Sequence, residues 1–221
     1  MENRKEFTFP SADGRTAIHA VEWHPEREPA GVLQIAHGVA EYALRYEPFA
    51  RFLNAHGFLV VANDHLGHGE SVAEGAPRLY FGEKGSWQHV VDDMYTLRCR
   101  TGEAYPELPY FIMGHSMGSF LTRTYLIRYP GTVKGAILMG TGQNPDAMLV
   151  GGKALALGRA HPIVRGKRVI EHGAEVDGNA LQVLLRLGDG QHVRNAGEVR
   201  RVGLLLKVIP AVDLIELAQR L

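Results

Sequence analysis

Apolar residues in the first 140 positions change period in a regular way. Residues 5–9 and 16–23 flank Ser11-Ala12-Asp13-Gly14, whose Asp-Gly pair suits the positive φ of a tight turn, so a β-hairpin at a sheet edge is predicted first. Val32-Leu33-Gln34-Ile35-Ala36 is a mostly apolar run of strand length, as expected of a strand buried on both faces of a parallel sheet; it ends at His37-Gly38. Tyr46, Phe49, Ala50 and Leu53 then recur at i, i+3, i+4 and i+7 ahead of Gly57, which reads as an amphipathic helix with a glycine stop. Residues 58–62 form the next strand. Residues 64–85 are rich in glycine and show no period, so they are read as loop. Trp87, Val90, Val91, Met94 and Leu97 mark a second helix, capped by Ser86 and followed by Pro106 and Pro109. Residues 110–113 make another strand, Met117 opens a helix that runs to Tyr129-Pro130-Gly131, and residues 133–139 are a further apolar strand. Such alternation requires right-handed crossovers and a mainly parallel sheet with helices on both faces, an α/β fold.

The chain has 221 residues, the length of one domain with room for an inserted subdomain. Hydrophobic residues at 45% and charged residues at 22% suffice for a core and argue against disorder. Lys plus Arg (24) equals Asp plus Glu (24), so no global field exists for a nucleic acid backbone and no nucleic acid partner is expected. The single cysteine, Cys99, excludes an internal disulfide and a cysteine-based zinc site, and it suits a reducing compartment. Eleven histidines leave metal ligation formally open. The N-terminus, MENRKEFTFPSADGR, lacks an apolar run of signal-peptide length, and no stretch approaches the ~20 apolar residues of a membrane span. A cytoplasmic location with at most peripheral membrane contact is the expectation.

Candidate chemistry centres on Gly114-His115-Ser116-Met117-Gly118, a Gly-x-Ser-x-Gly directly after an apolar strand and before a helix. A serine forced into so sharp a turn adopts a strained backbone and exposes its hydroxyl, while the helix N-terminus offers free N–H groups to a developing oxyanion. His37-Gly38-Val39-Ala40-Glu41 follows an earlier strand and reaches the same carboxyl edge of the sheet, where ligands bind in open α/β folds. Acyl transfer needs two N–H donors aimed at the oxyanion, and the backbones of Val39 and Met117 are placed to supply them. On its own, a His-Gly after a strand is more often simply a turn; Ser116 is what turns it into a candidate.

Three stretches, HGVAEYALRYEPFARFLNAHGFLVVANDHLGHGES (residues 37–71), GSWQHVVDDM (85–94) and GHSMGS (114–119), together resemble the α/β-hydrolase family. Within it they are most similar to the monoacylglycerol lipase and lysophospholipase branch of the S33-type hydrolases. The likeness covers roughly residues 15–145. It implies the α/β-hydrolase fold, Ser116 as nucleophile, the Val39 and Met117 N–H groups as oxyanion hole, and residues 64–71 as a structural loop bordering the site. It also implies a small lipid or ester substrate and no metal or organic cofactor. His65 and His68 are then loop residues, not ligands, and His115 supports the nucleophile without acting as its base.

Beyond about Thr141 the character of the chain changes. None of the 18 aromatic residues lies past Tyr129, and all five serines lie at or before Ser119. Met148, Leu149, Val150, Ala154, Leu155, Ala156 and Leu157 suit either the apolar cap that the family inserts after this strand or an ordinary amphipathic helix. The base and its orienting carboxylate should follow the serine in the order acid, histidine. His161, His172 and His192 with Asp146, Asp177 and Asp189 are the candidates, and no pairing fits the family's strand spacing. The expected organisation is a hydrolase core over residues 1–144 and a cap-like, truncated or altered segment over 145–221, with a change of reading frame near Asn179 one explanation. That leaves residues 133–139 as an exposed apolar edge open to self-association, and a non-catalytic fragment as the competing reading. Attachment to anionic lipid through Arg165, Lys167 and Arg168 is the weakest reading, because three basic residues usually form a solvated face.

Overall fold

A computed structural model of the chain describes residues 3–83 and 85–141, together with three two-residue strands at 181–182, 185–186 and 192–193. The described elements belong to one compact unit. The Asp13-Gly14 turn folds β1 (Arg4–Pro10) onto β2 (Ala17–Trp23) in antiparallel register, Arg4 opposite Trp23 and Pro10 opposite Ala17. Gly14 takes φ of 72°, and Asp13 Oδ1 accepts the N–H groups of Arg15 and Thr16, each at 2.8 Å.

The alternation that follows is as the periodicity predicts. It runs β3 (Gly31–Ala36), a 3-10 turn (Ala43–Tyr46), α1 (Glu47–Ala55), β4 (Phe58–Asn63), α2 (Trp87–Ala104), β5 (Tyr110–His115), α3 (Met117–Arg128) and β6 (Gly135–Met139). The sheet order is β1-β2-β4-β3-β5-β6-β7, with β7 (Leu181–Gln182) last, while β8 (Leu185–Arg186) and β9 (His192–Val193) form a separate antiparallel pair. Strands β4, β3, β5 and β6 are parallel; the hairpin on one side and β7 on the other are antiparallel.

Every residue of β3 and β4 is buried, because helices cover both faces. Leu33 and Ile35 pack with Phe49 and Leu53 of α1, whereas Val32 and Ala36 pack with residues of α2 and α3 such as Met94 and Leu121. Gln34, the polar interruption in that strand, is fully matched: its Nε2 donates to the Met94 carbonyl at 3.0 Å and its Oε1 accepts the Tyr110 hydroxyl at 2.8 Å.

Three expectations are corrected. Ser86 precedes α2 but its side chain makes no capping bond, since its backbone is already helical at φ −64° and ψ −17°. Trp87 is 44% exposed and stands off the buried stripe that Val90, Val91, Met94 and Leu97 form. The edge expected bare at residues 133–139 is the strand Gly135–Met139 with buried side chains, and β7 pairs with its carboxyl end, Leu138 opposite Gln182 and Met139 opposite Leu181. The cap-like run 148–157 and the basic residues Arg165, Lys167 and Arg168 lie outside the described residues, as does the boundary near residue 144. Among the described residues no helix is long and apolar enough to cross a membrane.

Candidate active site

The carboxyl ends of β3, β4 and β5 deliver three loops to one edge of the sheet, and each is held by a different device. At the end of β5 the chain turns into α3 through Ser116, whose φ of 50° and ψ of −117° are strained for a residue with a side chain. The Ser116 N–H donates to the Met139 carbonyl of β6 at 2.9 Å. Its own carbonyl accepts the Ser119 hydroxyl at 2.6 Å and the Ser119 N–H at 2.9 Å. Glycine is required on either side: a Cβ on Gly114 would overlap the Gly118 carbonyl, and one on Gly118 would overlap the Ala36 carbonyl of β3. The elbow thus seats α3 directly against the end of the neighbouring strand. Ser116 itself is half-buried, and among the described residues its hydroxyl takes part in no hydrogen bond.

At the end of β3, the buried His37 sets the course of the next loop. Its Nε2 accepts the His65 N–H at 2.9 Å, so the ring proton sits on Nδ1, which donates to the Gly38 carbonyl at 2.8 Å. That carbonyl and the Val39 N–H belong to one planar peptide unit, so the same bond fixes the direction of the Val39 N–H. Burial pushes His37 down to about 4, with nearby His68 acting in the same sense, so the ring is neutral at pH 7. Ala40 then takes φ of 57°, reversing the chain and leaving Val39 57% exposed. Among the described residues neither the Val39 N–H nor the Met117 N–H meets a backbone acceptor. The latter opens α3, where the first N–H groups of a helix are unmatched and the dipole is positive.

The loop after β4 lies beneath these two. Asp64 accepts the Ala43 N–H at 2.6 Å, the Glu70 N–H at 2.9 Å and a His19 bond at 3.0 Å. Burial opposes its ionisation, but the bonds from His19, Ala43 and Glu70 outweigh that and hold its carboxyl below the usual range. His65 and His68 lie on this loop and are buried. The His65 ring lies tilted against His37 with centroids 4.0 Å apart, and His68 lies 5.4 Å from His37. Burial lowers His65 well below its usual value, and lowers His68 as well. Among the described residues no group of three or more His, Cys, Asp or Glu could hold a metal ion.

Sequence reasoning named Glu41 only as the end of a motif, yet it is the most heavily bonded group at the site. Its Oε2 accepts the Gly38 N–H and the Tyr46 hydroxyl, each at 2.7 Å, and lies 3.3 Å from His115 Nδ1. Gly38 and Tyr46 are near it in the chain, but the partner that ties it to the elbow, His115, lies 74 positions away, beyond any local pattern. Of the expected triad partners, Asp146, Asp177, Asp189, His161 and His172 lie outside the described residues, while His192 opens β9.

A family profile described as serine aminopeptidase, S33 matches residues 27–186. The chain belongs to this family. Within the S33 family, this chain is 37% identical over 141 residues to a monoacylglycerol lipase of Mycolicibacterium smegmatis, covering 64% of this chain and 48% of that protein. It is 34% identical over 122 residues to a human monoglyceride lipase, covering 53% of this chain and 37% of that one. A thermostable carboxyl esterase from Bacillus coagulans, solved in complex with glycerol, superposes with a TM-score of 0.63 at 35% identity, over 72% of this chain and 51% of the esterase. A lipase in an open form gives 0.64 at 31%, with the same shares of the two chains covered. This S33 family chain therefore has the α/β-hydrolase fold and spans about half the length, or less, of the curated relatives it matches.

Proposed function

We propose that the chain is a serine hydrolase of carboxylic esters, acting on monoacylglycerols or lysophospholipids through an acyl-enzyme on Ser116. The observation that carries this reading is the strained Ser116 elbow, its hydroxyl and the N–H groups of Val39 and Met117, at the ends of the adjacent strands β3 and β5, all unmatched among the described residues. In the first step Ser116 Oγ attacks the ester carbonyl and gives its proton to a histidine base. The oxyanion is held by the N–H groups of Val39 and Met117. Collapse expels the alcohol, which takes the proton back, and water then cleaves the acyl-serine by the same route in reverse. This chemistry calls for no metal or organic cofactor. The relatives named for monoacylglycerol and monoglyceride lipase activity, and the esterase solved with glycerol, support a glycerol ester as the substrate class.

The test is covalent labelling of the folded chain with a fluorophosphonate, read by intact mass. One adduct per chain that disappears in Ser116→Ala is expected. Ester turnover in that variant should fall by about 10³-fold or more. Folded protein that takes no adduct would favour a non-catalytic member of the family.

A further inference from the structure

We propose that Glu41 is a positioning residue that holds the loop carrying the Val39 N–H in register with the Ser116 elbow. The proposal rests on the acyl-enzyme reading above and adds to it the group that keeps two separate loops aligned.

One carboxylate oxygen gathers partners from three elements. Gly38 belongs to the loop after β3, Tyr46 ends the 3-10 turn before α1, and His115 is the last residue of β5, next to Ser116. Tyr46 also meets His115 Nδ1 at 3.0 Å, so the carboxylate, the phenol and the imidazole close a triangle behind the nucleophile. The other carboxylate oxygen faces Arg45 Nε at 3.3 Å. Space is tight on the same side: a Cβ on Gly38 would come within 2.8 Å of Glu41 Oε2 and 3.3 Å of the Ser116 Cβ. Glu41 therefore touches the peptide that precedes the Val39 N–H and, through His115, the backbone that places Ser116.

Charge matters here because the Gly38 N–H and the Tyr46 hydroxyl both donate to one oxygen. An ionised carboxylate makes both bonds charge-assisted and offers its second oxygen to Arg45, whereas the amide of Gln has no charge and would turn its NH₂ donors toward Arg45. Burial works against ionisation of Glu41, but the bonds from His115, Tyr46 and Gly38 outweigh it and hold the group at about 2. A donor that serves only the transition state must already point at the oxyanion, so loss of the clamp should reduce turnover and leave substrate binding largely intact.

The experiment compares wild type, Glu41→Gln and Tyr46→Phe in the full chain. The readouts are the fluorophosphonate reaction rate at Ser116, kcat and KM for a p-nitrophenyl butyrate assay, near-UV circular dichroism, and the ³¹P resonance of the phosphonyl adduct. Glu41→Gln is expected to lower the labelling rate and kcat by about 10- to 100-fold with KM within about two-fold, below the loss for deleting an oxyanion donor outright. Its ³¹P signal should move toward that of the denatured adduct. Tyr46→Phe keeps the Gly38 bond and should lose less than Glu41→Gln. A Glu41→Gln protein labelled at Ser116 within about two-fold of wild type overturns the positioning role alone. So does a loss confined to KM or accompanied by collapse of the near-UV spectrum. Wild type that takes no adduct at Ser116 overturns the acyl-enzyme reading and this assignment together.

Discussion

Two carboxylates, one half-buried and one buried, meet opposite fates in this molecule. Glu41, at the carboxyl ends of β3 and β5, is held at about 2, while Asp93, on the buried face of α2, is pushed up to about 6. Burial raises both. The difference lies in what surrounds them: Glu41 has Gly38, Tyr46 and His115 around one oxygen and Arg45 at the other. Asp93 has one bond to each oxygen, from the Ser11 hydroxyl at 2.8 Å and the Ala12 N–H at 2.7 Å, with the negative Asp13 close by. The number of donors, set against one desolvation cost of similar kind, decides which carboxylate stays charged. Glu41 is surrounded so as to keep its charge, whereas Asp93, bonded to the hairpin turn at Ser11 and Ala12, is not.

The largest effect expected comes from removing the residue that anchors the site side. His37→Ala strips partners from the Gly38 carbonyl and the His65 N–H and opens a buried cavity, and it should cost about 3–5 kcal/mol in a denaturant melt at pH 7. Wild type should show a related acid sensitivity. The folded His37 titrates near 4, below its unfolded value, so between about 6.5 and 4 the unfolded chain binds more protons and stability falls as pH falls.

Next in size is Asp93→Asn. The folded value of Asp93 lies above its unfolded one, so the native state binds more protons between about pH 4 and 6, and stability falls as pH rises through that window. The amide should remove that slope and leave the variant more stable than wild type above pH 6 by about 2–3 kcal/mol, measured by urea melts across pH. A variant no more stable at pH 7 than at pH 4, relative to wild type, would erase the contrast with Glu41.

Glu41 gives the smaller pH term because part of its attraction is screened by solvent. Its folded value is depressed, so its contribution is present above about pH 4.5 and lost as pH falls toward 2. Glu41→Gln should flatten the acid arm of the stability curve by about 1–2 kcal/mol. The smallest effect belongs to a charge pair without burial. Arg51→Ala breaks the exposed pair with Glu47 on α1, at 2.8 Å, and should change the unfolding free energy by no more than about 0.5 kcal/mol.

Much of this fold is legible in the sequence because its central strands are almost wholly apolar and α1 and α2 each carry one apolar stripe. The run 32–36 and the Tyr46, Phe49, Ala50, Leu53 spacing translate directly into β3 and into the turn and helix that follow it. The Gly-x-Ser-x-Gly motif marks the elbow because backbone clashes at Gly114 and Gly118 leave no other residue possible. What escapes the sequence is whatever depends on distant partners. The His37, His65 and His68 cluster joins the ends of β3 and β4, and the Glu41 clamp reaches from position 38 to 115. Trp87 follows the apolar spacing of α2 yet sits in its first turn, where the sheet no longer covers it.

The strand order also sets a schedule for assembly during synthesis. β2 and β3 do not pair with each other; both pair with β4, Trp23 opposite Val60 on one side and Leu33 opposite Val60 on the other. The hairpin can close on its own as soon as its turn is made, but it has no sheet to join until β4 has left the ribosome. From then on β5 and β6 add to the far side in chain order, each to a strand already in place. β7 comes latest in the chain of the strands in this sheet, so its pairing with β6 closes last, although it spans a shorter stretch of chain than the pairing of β3 with β5. β4 is thus the keystone of the folding sequence, although it contributes only its loop to the site.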